Sequence, residues 1–568
     1  MKKMVMLALL ALGYSSGAMA DCGDDSCSNR TVIDCEECVC AANRNFFSIL
    51  NLPFDVGAPV RLAGNRNYLH KQDEVKRNNL QVCLFGGRST RPSWLAKYFS
   101  PTCSRSLCSQ ENIGDVPFGE SVDCCSAVGK ITSCDMYAGF FGINSTGAWD
   151  DLDTDEMGLF HPSLPSFKST FRLEPRHTFV GAGFSYRRHF CYDEEDNRSW
   201  WLEVGAPIMW VKHPMNLEED VLTTGGFPLV DGMPTNMKEA FANPLWKFGR
   251  IDCMCDNDGK VGLADVDVRI GYEIVKDEIC HFVSYIGALI PTGTKPKSHR
   301  LFEPVIGHNK NGGFMFGTDL GIRLWHSEER ERSLWSEITI QGLYLIRNTQ
   351  TRLVSLKNRP WSQYMQVFES QAQAQQLIDA MTALTTPLDR LKLYVQGGTP
   401  GVNVFAQNVR VSPAFQRRLN TALLFAGKGF EGELGYNFFS RDDECVTLNC
   451  KWPSTIALKN PVPLSTFSSE VLQSIPLLNP DIAINDLIPC RAVSIASYTE
   501  SEISACDLDL RSAASPGTIV HTVYASFGYQ WEEYKNPYFV GFGSSYEFSR
   551  DNTGLNVWTV WAKAGVNF

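Results

Sequence analysis

The last eleven residues of the chain alternate between two kinds of position. Every second residue is apolar, namely Trp558, Val560, Ala562, Ala564, Val566 and Phe568. The intervening positions are small or polar, apart from Trp561. Because successive side chains of a β-strand point to opposite faces, this period of two predicts a strand with one apolar face. Lipid is the expected partner for that face, and a soluble sheet is the alternative.

Strand-like patterns recur upstream of this terminal segment. Together with it they lie near 175–190, 199–212, 262–275, 280–291, 312–326, 334–348, 414–427, 430–444, 518–532, 536–549 and 555–568. A barrel whose two ends lie in the periplasm has an even number of strands, so one more strand is needed upstream. Asn79–Gly87 is the preferred candidate, and Asp135–Ile143 is the alternative.

The connections between these segments alternate in length. Short charged turns lie near 194–197, 276–278, 328–332, 427–429 and 532–536, whereas the other connections are long except for the brief 550–554. Short periplasmic turns opposite long outer loops are typical of outer-membrane barrels, and a soluble sheet has no reason to sort its loops this way. We therefore predict an all-β fold, a transmembrane antiparallel up-and-down β-barrel of about 12 strands, within a range of about 10 to 14.

The N-terminus predicts export. Lys2 and Lys3 precede an apolar run, and Ala18-Met19-Ala20 is a small-residue cleavage site, so residues 1–20 are predicted to be a signal peptide. Residues 21–75 lack the barrel pattern and are predicted to form a cysteine-rich periplasmic extension or a plug folded into the lumen. The barrel is expected over 76–568, with long loops near 90–174, 213–261, 349–413 and 445–517.

All 19 cysteines follow the predicted signal peptide. In an exported protein this number favours disulfides over zinc for Cys35-x-x-Cys38-x-Cys40, so no metal site is predicted. The count is odd, which suggests a bridge to another envelope protein, and the short separation of Cys445 and Cys450 suggests a local bridge. The disulfide candidates are Cys22, Cys27, Cys35, Cys38, Cys40, Cys445, Cys450, Cys490 and Cys506.

If the apolar faces meet lipid, the opposite faces line the interior. The predicted lumen-lining acids are Glu203, Asp265, Asp267, Glu273, Asp319, Glu337, Glu431 and Glu433, and the bases are Arg187, Arg269, Arg323 and Arg347. The excess of acids predicts a polar pore with a mild preference for cations. The alternative is that these charges pair with one another and close the lumen.

Two motifs, Val261–Tyr272 and Gly317–Leu324, resemble barrel strands of channel families that include transporters of hydrophobic compounds. With the terminal strand, they make the chain similar to bacterial outer-membrane β-barrels of the porin and small-solute transporter kind. The resemblance implies a location in the outer membrane of a Gram-negative-type bacterium, with lipid around the barrel. It also implies that Trp558, Val560, Val566 and Phe568 form an assembly signal for the barrel-assembly machinery. The high cysteine content departs from ordinary porins and is more similar to cross-linked envelope proteins.

Three functions follow as hypotheses: a channel for passive passage of small solutes, a transporter of hydrophobic molecules, or a disulfide-linked structural protein of the envelope. An enzyme is not expected, because no nucleophile elbow, zinc helix or phosphate loop is present in the sequence, and no cofactor is predicted. The formal net charge of −11 argues against nucleic acid as a partner.

Overall fold

The computed structural model describes 44–48, 78–99, 106–109, 167–193, 198–224, 236–251, 259–329, 331–357, 361–364, 366–384, 393, 397–413, 415–453, 455–459, 499–531 and 533–568. All of these residues belong to one unit, Cys35–Phe568. The predicted signal peptide and the alternative first strand at 135–143 lie outside the described residues.

Twelve antiparallel strands form a closed ring. Each pairs with its neighbours in sequence order, and the last strand pairs with the first, so the ring has no free edge. The strands are β1 (Asn78–Ser89), β2 (Thr178–Asp193), β3 (Arg198–Lys212), β4 (Val266–Lys276), β5 (Cys280–Ile290), β6 (Gly313–Ser327), β7 (Arg332–Leu345), β8 (Gln416–Gly427), β9 (Phe430–Arg441), β10 (Thr518–Trp531), β11 (Tyr538–Ser549) and β12 (Val557–Asn567). The predicted up-and-down barrel of about 12 strands is confirmed, and β1 contains the preferred Asn79–Gly87.

Each barrel strand has one exposed apolar face and one buried face. On β12, Trp558 and Val560 are exposed, whereas Thr559, Trp561 and Lys563 are buried. The same alternation places many large apolar side chains on the outside of the other strands. A closed barrel with an apolar outer surface is the architecture of outer-membrane proteins, because every backbone group is paired and lipid can cover the outside. Among the described helices, none has the length and apolar composition needed to cross a membrane.

Inward-facing glycines provide the space in which large inward side chains lie flat against the wall. A Cβ atom on Gly271 of β4 would lie 2.3 Å from the indole of Trp201 on β3. On β11, a Cβ atom at Gly543 would lie equally close to the indole of Trp561 on β12. Trp561, the exception in the terminal pattern, is therefore accommodated by a glycine on the next strand.

The long connections gather at one end of the barrel and fold into what we call the outer layer. Its strands are Ser106–Ser109, Phe167–Arg172 and Glu218–Thr224 in one sheet; Asn348–Leu353, Ala406–Ser412 and Cys445–Leu448 in a second; Gln366–Phe368, Thr399–Pro400, Ala457–Lys459 and Thr499–Glu502 in a third; and the pair Ser355–Leu356 and Leu508–Asp509. Lys260–Leu263 pairs with β3. The helices are α1 (Pro92–Phe99), α2 (Met237–Phe241), α3 (Gln371–Thr382) and α4 (Gly401–Phe405), with 3-10 turns at Ser362–Tyr364, Ala505–Asp507 and Leu510–Ala513.

The glutamine- and alanine-rich sequence over Ser362–Leu384 has a helical pattern, but only part of it is helical. The helix occupies Gln371–Thr382, while Gln366–Phe368 forms a strand. That strand pairs with Thr399–Pro400 and Ala457–Lys459, which are distant in sequence. Long-range pairing therefore overrides the local helical pattern.

We predict that Gly271→Ala destabilises the barrel by about 1–3 kcal/mol, because the added methyl group collides with the Trp201 indole. Gly432→Ala on β9 is the matched control, since a Cβ atom there meets no neighbour within 4 Å. Denaturant midpoints of the two variants refolded in detergent would test this. Equal midpoints would show that the glycine contact does not limit packing.

Candidate functional site: the inner wall of the barrel

Ten of the twelve predicted lumen residues lie at inward positions of barrel strands. Seven are buried, whereas Arg187, Asp319 and Arg323 are half-buried. The inward residues from the predicted set are Arg187, Glu203, Asp267, Arg269, Glu273, Asp319, Arg323, Glu337, Glu431 and Glu433. The wall is therefore strongly charged, and most of its charged side chains have little contact with solvent.

Glu203 is the centre of the first charged cluster. Strand register places Arg187 of β2 and Arg269 of β4 on either side of this carboxylate. The Arg187 Nε donates to Glu203 Oε2 at 2.7 Å, and the Arg269 Nη2 donates to Oε1 at 2.5 Å. Arg187 also stacks over the Trp201 ring at 4.4 Å. Two cations thus share one buried carboxylate along three neighbouring strands.

A second cluster surrounds Glu273, nearer the end of the barrel with the short turns. Ser199 Oγ donates to Glu273 Oε2 at 2.7 Å, and His189 Nδ1 lies 2.8 Å from the same hydroxyl. The Lys276 ammonium lies 3.8 Å from Glu273 Oε1. A cation and a hydrogen-bonded hydroxyl therefore compensate this buried carboxylate as well.

On the other side of the ring, the carboxylates of Glu337 and Glu433 each have a polar partner. His281 Nε2 of β5 lies 3.6 Å from Glu337 Oε2 of β7, although β6 runs between them. They meet because Gly321 of β6 has no side chain, and a Cβ atom there would lie 2.0 Å from the His281 ring. Tyr524 donates to Glu433 Oε1 at 2.7 Å.

Sequence reasoning missed several inward charges. The structure adds Glu547 to the acids and Lys276, Arg418, Arg441 and Lys563 to the bases, so the described barrel strands carry eight inward acids and seven inward bases. Lys276 follows an irregularity in β4 between Glu273 and Val275, which changes the face its side chain occupies. Lys563, in contrast, could have been found, because it falls on the polar face of the terminal pattern.

Two predicted lumen residues lie elsewhere, and for these the prediction is wrong. Asp265 precedes β4 and accepts hydrogen bonds from the backbone N of Gly293 (3.1 Å) and of His308 (2.6 Å). It therefore anchors the 291–312 connection to the barrel. Arg347 lies two residues beyond the end of β7, and its side chain is exposed at the outer rim.

The predicted assembly residues lie on the lipid face of β12, where Trp558, Val560 and Phe568 are exposed and Val566 is half-buried.

Of the disulfide candidates, Cys445 and Cys506 are disulfide-bonded, whereas Cys450 is an exposed free thiol. The suggested local Cys445–Cys450 bridge is therefore not formed. Outside the described residues lie Cys22, Cys27, Cys35, Cys38, Cys40 and Cys490. Within the described residues, no group of three or more metal-ligating side chains is placed to hold an ion.

The segment Arg44–Ser48 is built into the outer layer. Asn45 donates to Ser355 Oγ at 2.9 Å and accepts from Gln363 Nε2 at 2.7 Å. Phe47 packs edge-on against Tyr98, with ring centroids 4.8 Å apart. Arg44–Ser48 therefore joins connections that are far apart in the sequence, directly over the end of the barrel that carries the long loops.

A buried ion pair beside this segment holds the outer layer together. Arg352 donates to Glu444 Oε2 at 2.6 Å and to the Ala513 carbonyl at 2.7 Å, and its guanidinium lies 3.6 Å from the centre of the Phe46 ring. Burial alone would raise the pKa of the Glu444 carboxyl, but Arg352 and Arg441 hold that pKa below its usual range. The pair is therefore charged and binds two connections and the segment Arg44–Ser48 to one another.

A histidine pair lies where the outer layer meets the barrel. His177 Nδ1 and His213 Nε2 are 2.8 Å apart, and His213 Nδ1 lies 3.0 Å from the Glu303 carbonyl. The His213 ring stacks on Phe302 with centroids 4.1 Å apart. Burial lowers the pKa of His177 to about 3 and lowers the pKa of His213 well below its usual value.

No protein-family profile and no curated protein matches the chain. An outer-membrane channel from Pseudomonas putida F1 is 7% identical, with a TM-score of 0.32 and coverage of 86% of this chain and 95% of that one. The transport unit of the autotransporter AIDA-I from Escherichia coli is 6% identical, with a TM-score of 0.22 and coverage of 90% and 95%. OccK7 from Pseudomonas aeruginosa is 8% identical, with a TM-score of 0.16 and coverage of 86% and 98%. Such low scores carry no functional weight, so the function is inferred from the wall itself.

We predict that Glu203→Gln destabilises the barrel by about 3–5 kcal/mol, because it leaves the buried Arg269 and the half-buried Arg187 without their carboxylate. Glu278→Gln is the control, since that carboxylate is exposed in its contact with Arg323 and should change stability by less than about 1 kcal/mol. Urea unfolding of the refolded proteins measures both. A stable Glu203→Gln barrel would mean that the cluster is hydrated rather than buried.

We also predict that acid loosens the outer layer at the histidine pair. Both pKa values are lowered in the fold, so the neutral forms stabilise it fully above pH 6.5, and this stability is lost as the pH falls below that value. The loss is about 1.4 kcal/mol per pH unit and per histidine. Hydrogen exchange around 177, 213 and 303 should therefore rise between pH 7 and pH 5 beyond the intrinsic change. His299→Gln, an exposed control, should keep this pH dependence, and His177→Gln/His213→Gln should flatten it.

Proposed function

We propose that the protein is an outer-membrane channel for passive passage of small polar solutes and that the described conformation is its closed state. The observation that carries this proposal is the inner wall, where eight acids and seven bases face the barrel interior. A barrel that only anchors the protein in the membrane has no need for so many ionised groups inside, because each must be compensated at a cost.

The same wall argues against a transporter of hydrophobic molecules. Such a protein needs an apolar path through the barrel. Here the clusters at Glu203 and Glu273 lie at different heights along the strands, and Glu337 and Glu433 occupy the opposite arc. A hydrophobic solute would have to pass these charged groups, which disfavours its entry.

The ion pairs and hydrogen bonds among residues of the inner wall support the closed state. Glu203 holds two arginines, and Glu273 holds a serine and a lysine, so these groups bind one another along the wall. The outer layer also packs over the end with the long loops. Opening would require these ion pairs or the outer layer to rearrange.

We further propose that residues 21–75 act as a plug rather than as a periplasmic extension. Arg44–Ser48 lies in the outer layer, whereas Asn78 lies at the opposite end, hydrogen-bonded to Phe568 at 2.9 Å in both directions. The two described ends of this stretch therefore lie at opposite ends of the barrel. The polar and charged residues that predominate over 64–77 suit a polar interior and not the lipid around it.

The near balance of eight acids and seven bases supports a weak preference for cations. A strong selectivity needs a ring of one charge sign, and here the acids and bases alternate around the wall. We propose a cation preference set by the small excess of acids over bases on the inner wall.

We predict that the purified full chain shows rare, brief openings in planar bilayers and that deletion of residues 21–75 gives a larger and more frequent conductance. Asn45→Ala/Phe47→Ala should act in the same direction, because it removes contacts between Arg44–Ser48 and the outer layer. Leu245→Ala is the control, since that exposed side chain lies in the outer layer outside these contacts. The reversal potential in a salt gradient measures the charge preference.

If neither the full chain nor any of these variants conducts, the channel proposal fails. The envelope-scaffold alternative is then favoured, for which the folded outer layer and the exposed Cys450 thiol are the supporting features. A reducible high-mass band that contains the protein in non-reducing gels of whole envelopes, and its loss in Cys450→Ser, would support that alternative.

A further inference from the structure

Three exposed basic residues lie on one sector of the outer rim. Lys310 lies near the end of the 291–312 connection, Arg347 follows β7, and Arg410 lies in the second sheet of the outer layer. The Asn348 amide donates to the carbonyls of Asn309 and Lys310 at 3.0 Å, which brings Lys310 beside Arg347. Arg410 pairs in register with Thr349, two residues from Arg347. We call Lys310, Arg347 and Arg410 the basic patch.

The basic patch lacks a compensating carboxylate in the described part of the chain. Its three side chains form no ion pair there, and Asp442, an exposed acid just beyond the end of β9, is engaged by Arg417 at 2.7 and 2.9 Å. Since the protein as a whole is acidic, three uncompensated bases at one place need an explanation. Their exposure rules out a role in packing.

The surface directly below the basic patch faces lipid. Phe314 of β6 and Tyr344 of β7 are cross-strand partners with exposed rings, and Ile346 is exposed beside them. Phe316 is also exposed and stacks on Phe415, with ring centroids 6.0 Å apart. Aromatic rings at this level lie where acyl chains meet headgroups, so the bases above them stand at headgroup height.

We propose that the basic patch and the aromatic surface below it bind a phosphate-bearing lipid of the surrounding outer leaflet. The headgroup phosphates would contact Lys310, Arg347 and Arg410, and the acyl chains would lie over Phe314, Phe316 and Tyr344. Arginine and lysine near a membrane surface attract anionic headgroups, and a guanidinium can donate two parallel hydrogen bonds to one phosphate. This binding is independent of whether the barrel conducts.

The test uses the full chain refolded in neutral detergent and titrated with bisphosphorylated lipid A, with binding followed by native mass spectrometry. We expect Lys310→Gln/Arg347→Gln/Arg410→Gln to weaken binding at least tenfold. The matched control is Arg88→Gln/Lys260→Gln/Arg550→Gln, which removes three bases from the outer end away from this sector and should bind as the wild type does. The substituted side chains lie on the surface, so both variants should keep the folded barrel, which heat-modified gel migration checks.

A second arm separates the lipid from free phosphate. Inorganic phosphate should neither bind measurably nor displace lipid A, and Phe314→Ser/Tyr344→Ser should weaken lipid binding while leaving the bases in place. Equal binding by the basic-patch variant and the wild type would overturn the proposal. Equal weakening in the two charge variants, or displacement by inorganic phosphate, would overturn it as well.

Discussion

The structure depends on one requirement, that every backbone N–H and C=O group inside the lipid must find a partner within the protein. The hydrogen-bonded pairing of β12 with β1 meets this requirement, since it removes the last two free edges of the sheet. Closure in turn divides every strand into an outer face for lipid and an inner face shielded from it. The charged wall, the flat aromatic rings over inward glycines and the packed outer layer all follow from this division.

The barrel could be predicted from the sequence because its outer face meets lipid and its inner face does not. Apolar and polar residues therefore alternate along each strand. Trp558 and Thr559 are an example, since the apolar Trp558 lies on the outer face and the polar Thr559 on the inner face. The prediction failed where the period is interrupted or where a residue lies beyond a strand end. Lys276 follows an irregularity in β4, while Asp265 and Arg347 lie just outside β4 and β7.

The outer layer could not be predicted in the same way. Its contacts join residues that are far apart in the sequence, 318 positions for Asn45 and Gln363 and 92 positions for Arg352 and Glu444, and no local pattern predicts them. The partners of the lumen charges were partly accessible, because Arg187, Glu203 and Arg269 fall on inward faces of neighbouring strands. The register that brings these three residues together could not be predicted. It depends on hydrogen bonding between strands, which the pattern of a single strand does not reveal.

The place of Arg44–Ser48 in the outer layer has a consequence for the order of folding. These residues emerge early in synthesis, yet their partners include Ser355, Gln363 and Ser512, which emerge much later. Contacts between residues so far apart in the sequence form late, because closing the long loop between them has an entropic cost. That cost must be offset before the contacts stabilise the fold. Completion of the outer layer is thus coupled to completion of the chain, and a barrel with a missing or misplaced connection lacks the partners that Arg44–Ser48 needs.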